Sequence, residues 1–239
     1  MGENNLEKIK KRLIELGRPD VRIIAVSKTH PPESITSLLK LGQLDFGENR
    51  YSEARNKFPL VDLSVLKSHQ HPVYHHIGPL QSGNARQIPE IFQYVHGVSS
   101  MKAVLILKDS ALKIYSKQIR NENHKSRWPI RYLIQINLTG EITKAGGMPE
   151  KELLAMETFP ENEALKFSGF MTMGPADQNP AETREIFHHL RELRDKIYPD
   201  GELSMGMSGD WEIAVSEGAT MIRLGTSIFG TRKEGPWKP

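Results

Sequence analysis

The sequence contains no cysteine. That excludes disulfides, thiolate metal sites and catalysis by a thiol, and it fits a reducing compartment without demanding one. An excess of charge of one sign is also missing. The 32 Lys and Arg against 29 Asp and Glu leave +3, spread along the chain and not gathered into a basic block, so nucleic acid is not implied as a partner. No window approaches a membrane span. The N-terminus, Met1-Gly2-Glu3-Asn4-Asn5-Leu6-Glu7-Lys8, is polar and acidic and lacks the apolar core of a secretion signal. A cytoplasmic protein with neither a membrane nor a nucleic-acid partner is therefore expected. No glycine-rich dinucleotide fingerprint follows the first apolar run. No stretch reads as a linker, so residues 1–239 are expected to form one domain.

What the chain does have is alternation. Leu6, Ile9, Leu13 and Leu16 recur at helical spacing with Gly17 as a stop, which predicts an opening amphipathic helix. Eight strand candidates follow, at 23–29, 44–49, 73–78, 94–98, 130–137, 167–173, 202–207 and 220–224. Between them lie helical patterns at 33–41, 51–58, 81–92 (complicated by Pro89), 101–120, 149–158, 181–198 and 211–217. Such alternation argues for parallel strands joined by crossover helices. Eight units in a chain close to the typical ~250 residues predict an α/β fold, a (β/α)₈ barrel of the TIM type with an extra N-terminal helix. A doubly wound open sheet is the competing architecture.

The first apolar run, Ile23-Ile24-Ala25-Val26, ends in Ser27-Lys28-Thr29 and is broken by Pro31-Pro32. A lysine placed where a buried strand stops is a candidate for chemistry, although most such lysines are solvated or paired. Barrel closure sets the eighth strand beside the first. It makes Lys28 a neighbour of Arg223, a cation inside the apolar run Met221-Ile222-Arg223-Leu224. The plainer reading of Arg223 is a structural ion pair. Around these two lie Met205-Gly206-Met207-Ser208-Gly209-Asp210 and Gly225-Thr226-Ser227-Ile228-Phe229-Gly230. Gly, Ser and Thr at the last two strand ends can cradle a phosphate through N–H and hydroxyl donors, or can simply be turns. An amine, an arginine and a phosphate cradle together suggest pyridoxal 5′-phosphate (PLP), whose aldehyde a lysine can take. Its pyridine nitrogen would face Arg223, a permanent cation that leaves it unprotonated, so the chemistry available is weak.

Six segments in order, Ala25-Val26-Ser27-Lys28-Thr29, Phe46-Gly47-Glu48-Asn49, His75-His76-Ile77-Gly78-Pro79-Leu80-Gln81, Gly169-Phe170-Met171-Thr172-Met173, Leu203-Ser204-Met205-Gly206-Met207-Ser208 and Arg223 to Gly230, cover nearly the whole chain. They resemble the pyridoxal phosphate homeostasis proteins, whose barrel is like the N-terminal domain of bacterial alanine racemase. The resemblance implies PLP held covalently at Lys28 as a Schiff base, Arg223 facing the pyridine nitrogen, and Ser208, Gly225 and Thr226 on the phosphate. It places Asn49 and His75 at the pocket lining. Two places depart from the family pattern. Gln81-Ser82-Gly83-Asn84-Ala85-Arg86 lacks the usual lysine after the third strand, and Asp210-Trp211 replaces the usual Asp-Met.

The histidines at 69, 71, 75 and 76 invite a metal reading, but neighbours on a strand point to opposite faces, so His75 and His76 cannot ligate from one side. No metal is expected. His188-His189 reads as helix surface. Lys144, in the glycine-containing loop after the fifth strand, is either a second, transient aldehyde acceptor or a surface lysine.

Three functions compete. The first is a non-catalytic PLP carrier serving PLP homeostasis, as the resemblance implies, with PLP-dependent apo-enzymes as possible recipients. The second is an amino-acid racemase, which needs an acid/base group on each face of the α-carbon; in alanine racemases one comes from a partner subunit with an extra β-domain. The sequence stops thirteen residues after Thr226, so weak or vestigial activity and a monomer are expected. The third is a Schiff-base aldolase, for which acid/base carboxylates at strand ends are too few.

Overall fold

The computed structural model describes residues 2–118, 127–139 and 146–230. Its strands, in chain order, are β1 (Arg22–Val26), β2 (Asp45–Glu48), β3 (Val73–Leu80), β4 (Tyr94–Val98), β5 (Ile130–Asn137), β6 (Met148–Pro149), β7 (Leu165–Met171), β8 (Glu202–Ser204) and β9 (Met221–Leu224). All pairings are parallel. Neighbours run β4-β3-β2-β1-β9-β8-β7-β5, and β5 returns to β4. Eight strands thus close into a barrel. The two-residue β6 hangs on the end of β5.

The helices are α1 (Gly2–Glu15), α2 (Pro32–Leu39), α3 (Tyr51–Lys57), α4 (Met101–Gln118), α5 (Glu150–Leu154), α6 (Pro180–Ile197), α7 (Trp211–Ser216) and α8 (Thr226–Phe229). Alternation along β1 explains how the two apolar layers arise. Ile23 and Ala25 face the core between barrel and helices, whereas Ile24 joins Tyr94, Leu133, Met171 and Met221 inside the barrel. A strand buried on both faces needs a continuous apolar run, and β1 has one. The helix α1 adds Leu6, Ile9 and Leu13 to the outer core. Asn5 Nδ2 donates to Ile228 O at 3.2 Å, which ties the start of the chain to α8. The helix α6 begins on its local signals: Pro180 follows Asn179, whose side chain accepts from the Ala181 and Glu182 N–H groups. Among the described residues no helix is long and apolar enough to cross a membrane.

Several expected elements differ in extent, among them the strand expected at 202–207, which stops at Ser204. The segment 81–92 is not a helix but a set of turns with a single 3₁₀ turn at Ile88–Glu90. Its apolar spacing is real, since Ala85, Ile88 and Phe92 are buried. Pro89 supplies no N–H, though, and Gly83 disfavours helix, so the residues pack without the ladder. The helix expected at 149–158 is confined to Glu150–Leu154. Strand β1 stops at Val26, which leaves Lys28 in a turn.

The pleat separates the two histidines of β3 as expected. His75 points into the barrel against Tyr94, while His76 points outward with its ring edge-on to Phe92 at 5.2 Å. Neither ring nitrogen of His76 meets a hydrogen-bond partner among the described residues. Burial lowers its pKa from 6.5 to about 4. A group whose folded pKa is depressed in this way supports folding fully above its unfolded pKa and loses that support as the pH falls toward the folded value. Between pH 7 and pH 4 the wild type is expected to lose about 3 kcal/mol more than His76→Leu does. Urea midpoints measured across that range check this, and parallel pH profiles would contradict it.

Candidate functional site

A cavity of about 590 Å³ opens at the C-terminal ends of the strands, the end where barrels of this kind carry their sites. Lys28, Asn49, Ser208, Arg223, Gly225 and Thr226 all line it. Six of the seven residues nominated from sequence are thereby brought together. The seventh, His75, is not at the lining. It is fully buried one layer below, and Ile77, the next inward residue of β3, takes the lining position instead. Lys144 lies outside the described residues. Of the two departures from the family pattern, Asn84 caps its own turn through Gln81 N–H to Asn84 Oδ1 at 2.9 Å, and Arg86 is exposed and away from the cavity. Trp211 opens α7 and packs against the outer core.

Lys28 is held by its neighbours in sequence. The Ser27 hydroxyl donates to Glu48 Oε1 at 2.7 Å, Ser27 O accepts from Lys57 Nζ at 2.9 Å, and the Thr29 N–H donates to Glu53 Oε1 at 2.5 Å. Lys57 Nζ also bonds both carboxylates, at 2.8 Å and 2.7 Å. Lys57 and Glu48 are fully buried, and burial raises the Glu48 pKa. Thr29 has φ 69, a left-handed backbone that is rare for a β-branched residue and persists only where its surroundings impose it. The buried ion cluster is that surrounding: it grips both residues that flank Lys28. Sequence reasoning missed it. The available signal was the Glu53–Lys57 spacing on α3, which by itself reads as a surface pair.

The loops after β8 and β9 are fastened to each other. Ser227 N–H donates to Ser208 Oγ at 3.2 Å, and the His30 and Phe229 rings stack at 4.4 Å, joining the Lys28 turn to α8. Gly206 starts the first of these loops at φ 91, where a Cβ would lie 2.6 Å from that of Ala214. Only glycine lets the chain turn there toward Ser208. Asp210 Oδ1 accepts the Met207 N–H at 2.5 Å, and burial raises the carboxyl's pKa.

Arg223 forms part of the floor. It is 4% exposed, and Ile24 of β1 is its register partner. Its guanidinium donates to Ser204 O at 2.8 Å, to Ser204 Oγ at 2.7 Å and to Thr172 O at 3.0 Å. All three are neutral oxygens. Burial lowers its pKa to about 10, and Asp210 opposes that shift. The structural ion pair that sequence offered as the plainer reading is thus replaced by neutral anchors. Lys28 and Arg223 are the titratable side chains among the described residues at the lining. One amine, one cation without a bonded carboxylate, and two loops of hydroxyl and amide donors suit an anionic ligand that carries a carbonyl.

The model of the alanine racemase N-terminal domain matches residues 3–233. The pyridoxal phosphate homeostasis protein of Aquifex aeolicus is 34% identical over 236 residues, covering 95% of each chain. That of Pseudomonas aeruginosa is 34% identical over 217 residues, covering 90% of this chain and 86% of the relative. Among solved structures, PipY of Synechococcus elongatus with PLP bound aligns at TM-score 0.73 and 30% identity, over 96% of this chain and 100% of that one. Alanine racemase of Clostridium difficile shares the fold at TM-score 0.68 and 13% identity, over 98% of this chain and 57% of its own. The closed barrel, the order of its motifs and this likeness along nearly the full length place the chain in the pyridoxal phosphate homeostasis protein family, within the alanine racemase N-terminal domain fold.

Proposed function

We propose that the chain binds PLP in this cavity, holds it reversibly on Lys28, and serves PLP homeostasis without demanding turnover of its own. The observation that carries the reading is the lining itself. Lys28 supplies an amine, Ser208, Gly225 and Thr226 supply donors for a phosphate, and Arg223 supplies a cation fixed by neutral oxygens. The names of the relatives and the PLP-bound state of PipY support it. PLP brings an aldehyde that condenses with a primary amine. The protein's part is to aim that amine, bind the phosphate and keep the ring end of the pocket positive. Racemisation needs an acid/base group on each face of the substrate carbon. Beyond Lys28 the described lining offers only an arginine, which does not give up its proton. PLP-dependent apo-enzymes are the recipients this reading assigns.

Two measurements separate a holder from an enzyme. The purified protein titrated with PLP is expected to turn yellow with saturation near one equivalent. Incubated with each L-amino acid in D₂O, it is expected to exchange the α-proton far more slowly than the ~1–10³ s⁻¹ of enzymes. A colourless protein would remove the cofactor reading. Exchange at enzymatic rates would replace the holder with a racemase.

A further inference from the structure

A file of buried polar groups crosses the barrel interior beneath the cavity. Arg223 Nη1 donates to Ser204 Oγ, which lies 2.8 Å from His96 Nδ1. His96 Nε2 lies 2.9 Å from His75 Nδ1, and His75 Nε2 lies 2.9 Å from Asp45 Oδ1. Ser204, His96 and His75 are completely buried. Asp45, at the start of β2, is also paired to Arg22 at the start of β1. The file therefore runs from the floor of the cavity to the opposite end of the barrel.

Its direction follows from counting donors and acceptors. Asp45, held below the usual carboxylate range by His75 and Arg22 against the opposing pull of burial, can only accept. His75 must then carry its proton on Nε2. A neutral His75 accepts at Nδ1, so His96 must carry its proton on Nε2 as well. A neutral His96 accepts at Nδ1, so the Ser204 hydroxyl gives its single proton there and turns its lone pairs to Arg223. Burial disfavours the charged form of both imidazoles, in keeping with two neutral rings. Every link is then settled by the one before it.

We propose that Asp45, His75, His96 and Ser204 are positioning residues for Arg223, a one-way relay of hydrogen bonds that anchors the guanidinium without a bonded carboxylate. Three of its five N–H groups are spent on Ser204 and Thr172. The remaining two meet no hydrogen-bond partner among the described residues, and the side chain lines the cavity. In alternative designs a carboxylate could fix an arginine as firmly, but it would neutralise it. Here the relay's own carboxylate stands at its far end, against Arg22, and Asp210 acts on Arg223 only through space. As a statement about the ligand, this rests on the PLP reading; as a statement about the two tautomers, it does not.

The test begins with apo-protein labelled with ¹⁵N-histidine. Both His75 and His96 are expected as neutral Nε2–H tautomers at pH 7, and an Nδ1–H tautomer or a cation at either would overturn the relay. His96→Leu removes the middle link, whereas His96→Gln places an acceptor oxygen and a donor nitrogen at nearly the spacing of the two imidazole nitrogens. The leucine variant is expected to speed hydrogen exchange of the Arg223 guanidinium about tenfold or more, and to shift the absorbance maximum of the PLP-loaded protein. The glutamine variant is expected to restore both. Should His96→Leu fail to fold, Ser204→Ala reads the same two signals. Unchanged exchange and absorbance in a folded variant would overturn the proposal. If the wild type takes up no PLP, the PLP reading fails, while the tautomers and the exchange rates still decide the relay.

Discussion

Lys57→Met is expected to cost about 3–5 kcal/mol of stability, because removing one partner of a buried ion pair leaves the other charged and unpaired. Glu48 is fully buried, and Lys57 is the cation beside it. The variant's carboxyl should therefore take up a proton at a higher pH than in the unfolded chain. A carboxyl with a raised folded pKa costs nothing where it is protonated in both states, and costs progressively more as the pH rises from the unfolded value to the folded one. The deficit of Lys57→Met should accordingly shrink toward acid pH. The double variant with Glu48→Gln should recover part of it, since the two changes fall in one network and cannot add. Urea midpoints of the four proteins at two pH values check this. A deficit below about 1 kcal/mol would mean that the cluster is not a structural clamp. In molecules that stay folded, the turn at Ser27 and Thr29 loses its grip, and capture of an aldehyde by Lys28 should slow even where phosphate affinity is kept.

That cluster marks the boundary of what the sequence made legible. The barrel could be read from the alternation of strands and helices, because period and spacing are local properties of the chain. Lys28 and Arg223 could be brought together as well, since closure sets the last strand beside the first. What stayed hidden were groups whose role depends on burial. Lys57 reads as the polar end of a short helix until α3 is packed on β2. Only then does its ammonium reach the carbonyl of Ser27. His75 shows the same limit in the other direction: the pleat pointed it inward, but the depth at which it sits depends on register, and Ile77 two residues on holds the lining instead. The turn at 81–92 misled because buried Ile88 and Phe92 satisfy a helical pattern that Pro89 prevents the backbone from adopting.

Lys28→Ala is expected to abolish covalent retention of PLP altogether while sparing much of its non-covalent affinity. The separation follows from the layout of the site. Lys28 belongs to the turn after β1, whereas Ser208, Gly225 and Thr226 belong to loops that are joined through Ser227 and do not depend on the lysine. Dialysis after loading should strip the cofactor from Lys28→Ala and leave wild type coloured. Pyridoxine 5′-phosphate, which has the phosphate but no aldehyde, should bind both proteins with affinities within about a factor of ten, a difference of 1.4 kcal/mol. A variant that has lost affinity for this analogue as completely as it has lost PLP would show that the amine organises the entire pocket, and the division of labour would be wrong.

One particular amine, that of Lys28, is expected to hold the aldehyde, and peptide mass spectrometry after borohydride treatment reads which lysine does. With PLP loaded and the adduct reduced, the added mass is expected on the peptide carrying Lys28, at close to one per chain, and absent from every peptide of Lys28→Ala. Label spread over several lysines, or label that persists undiminished in Lys28→Ala, would mean that Lys28 is not the amine that holds the aldehyde.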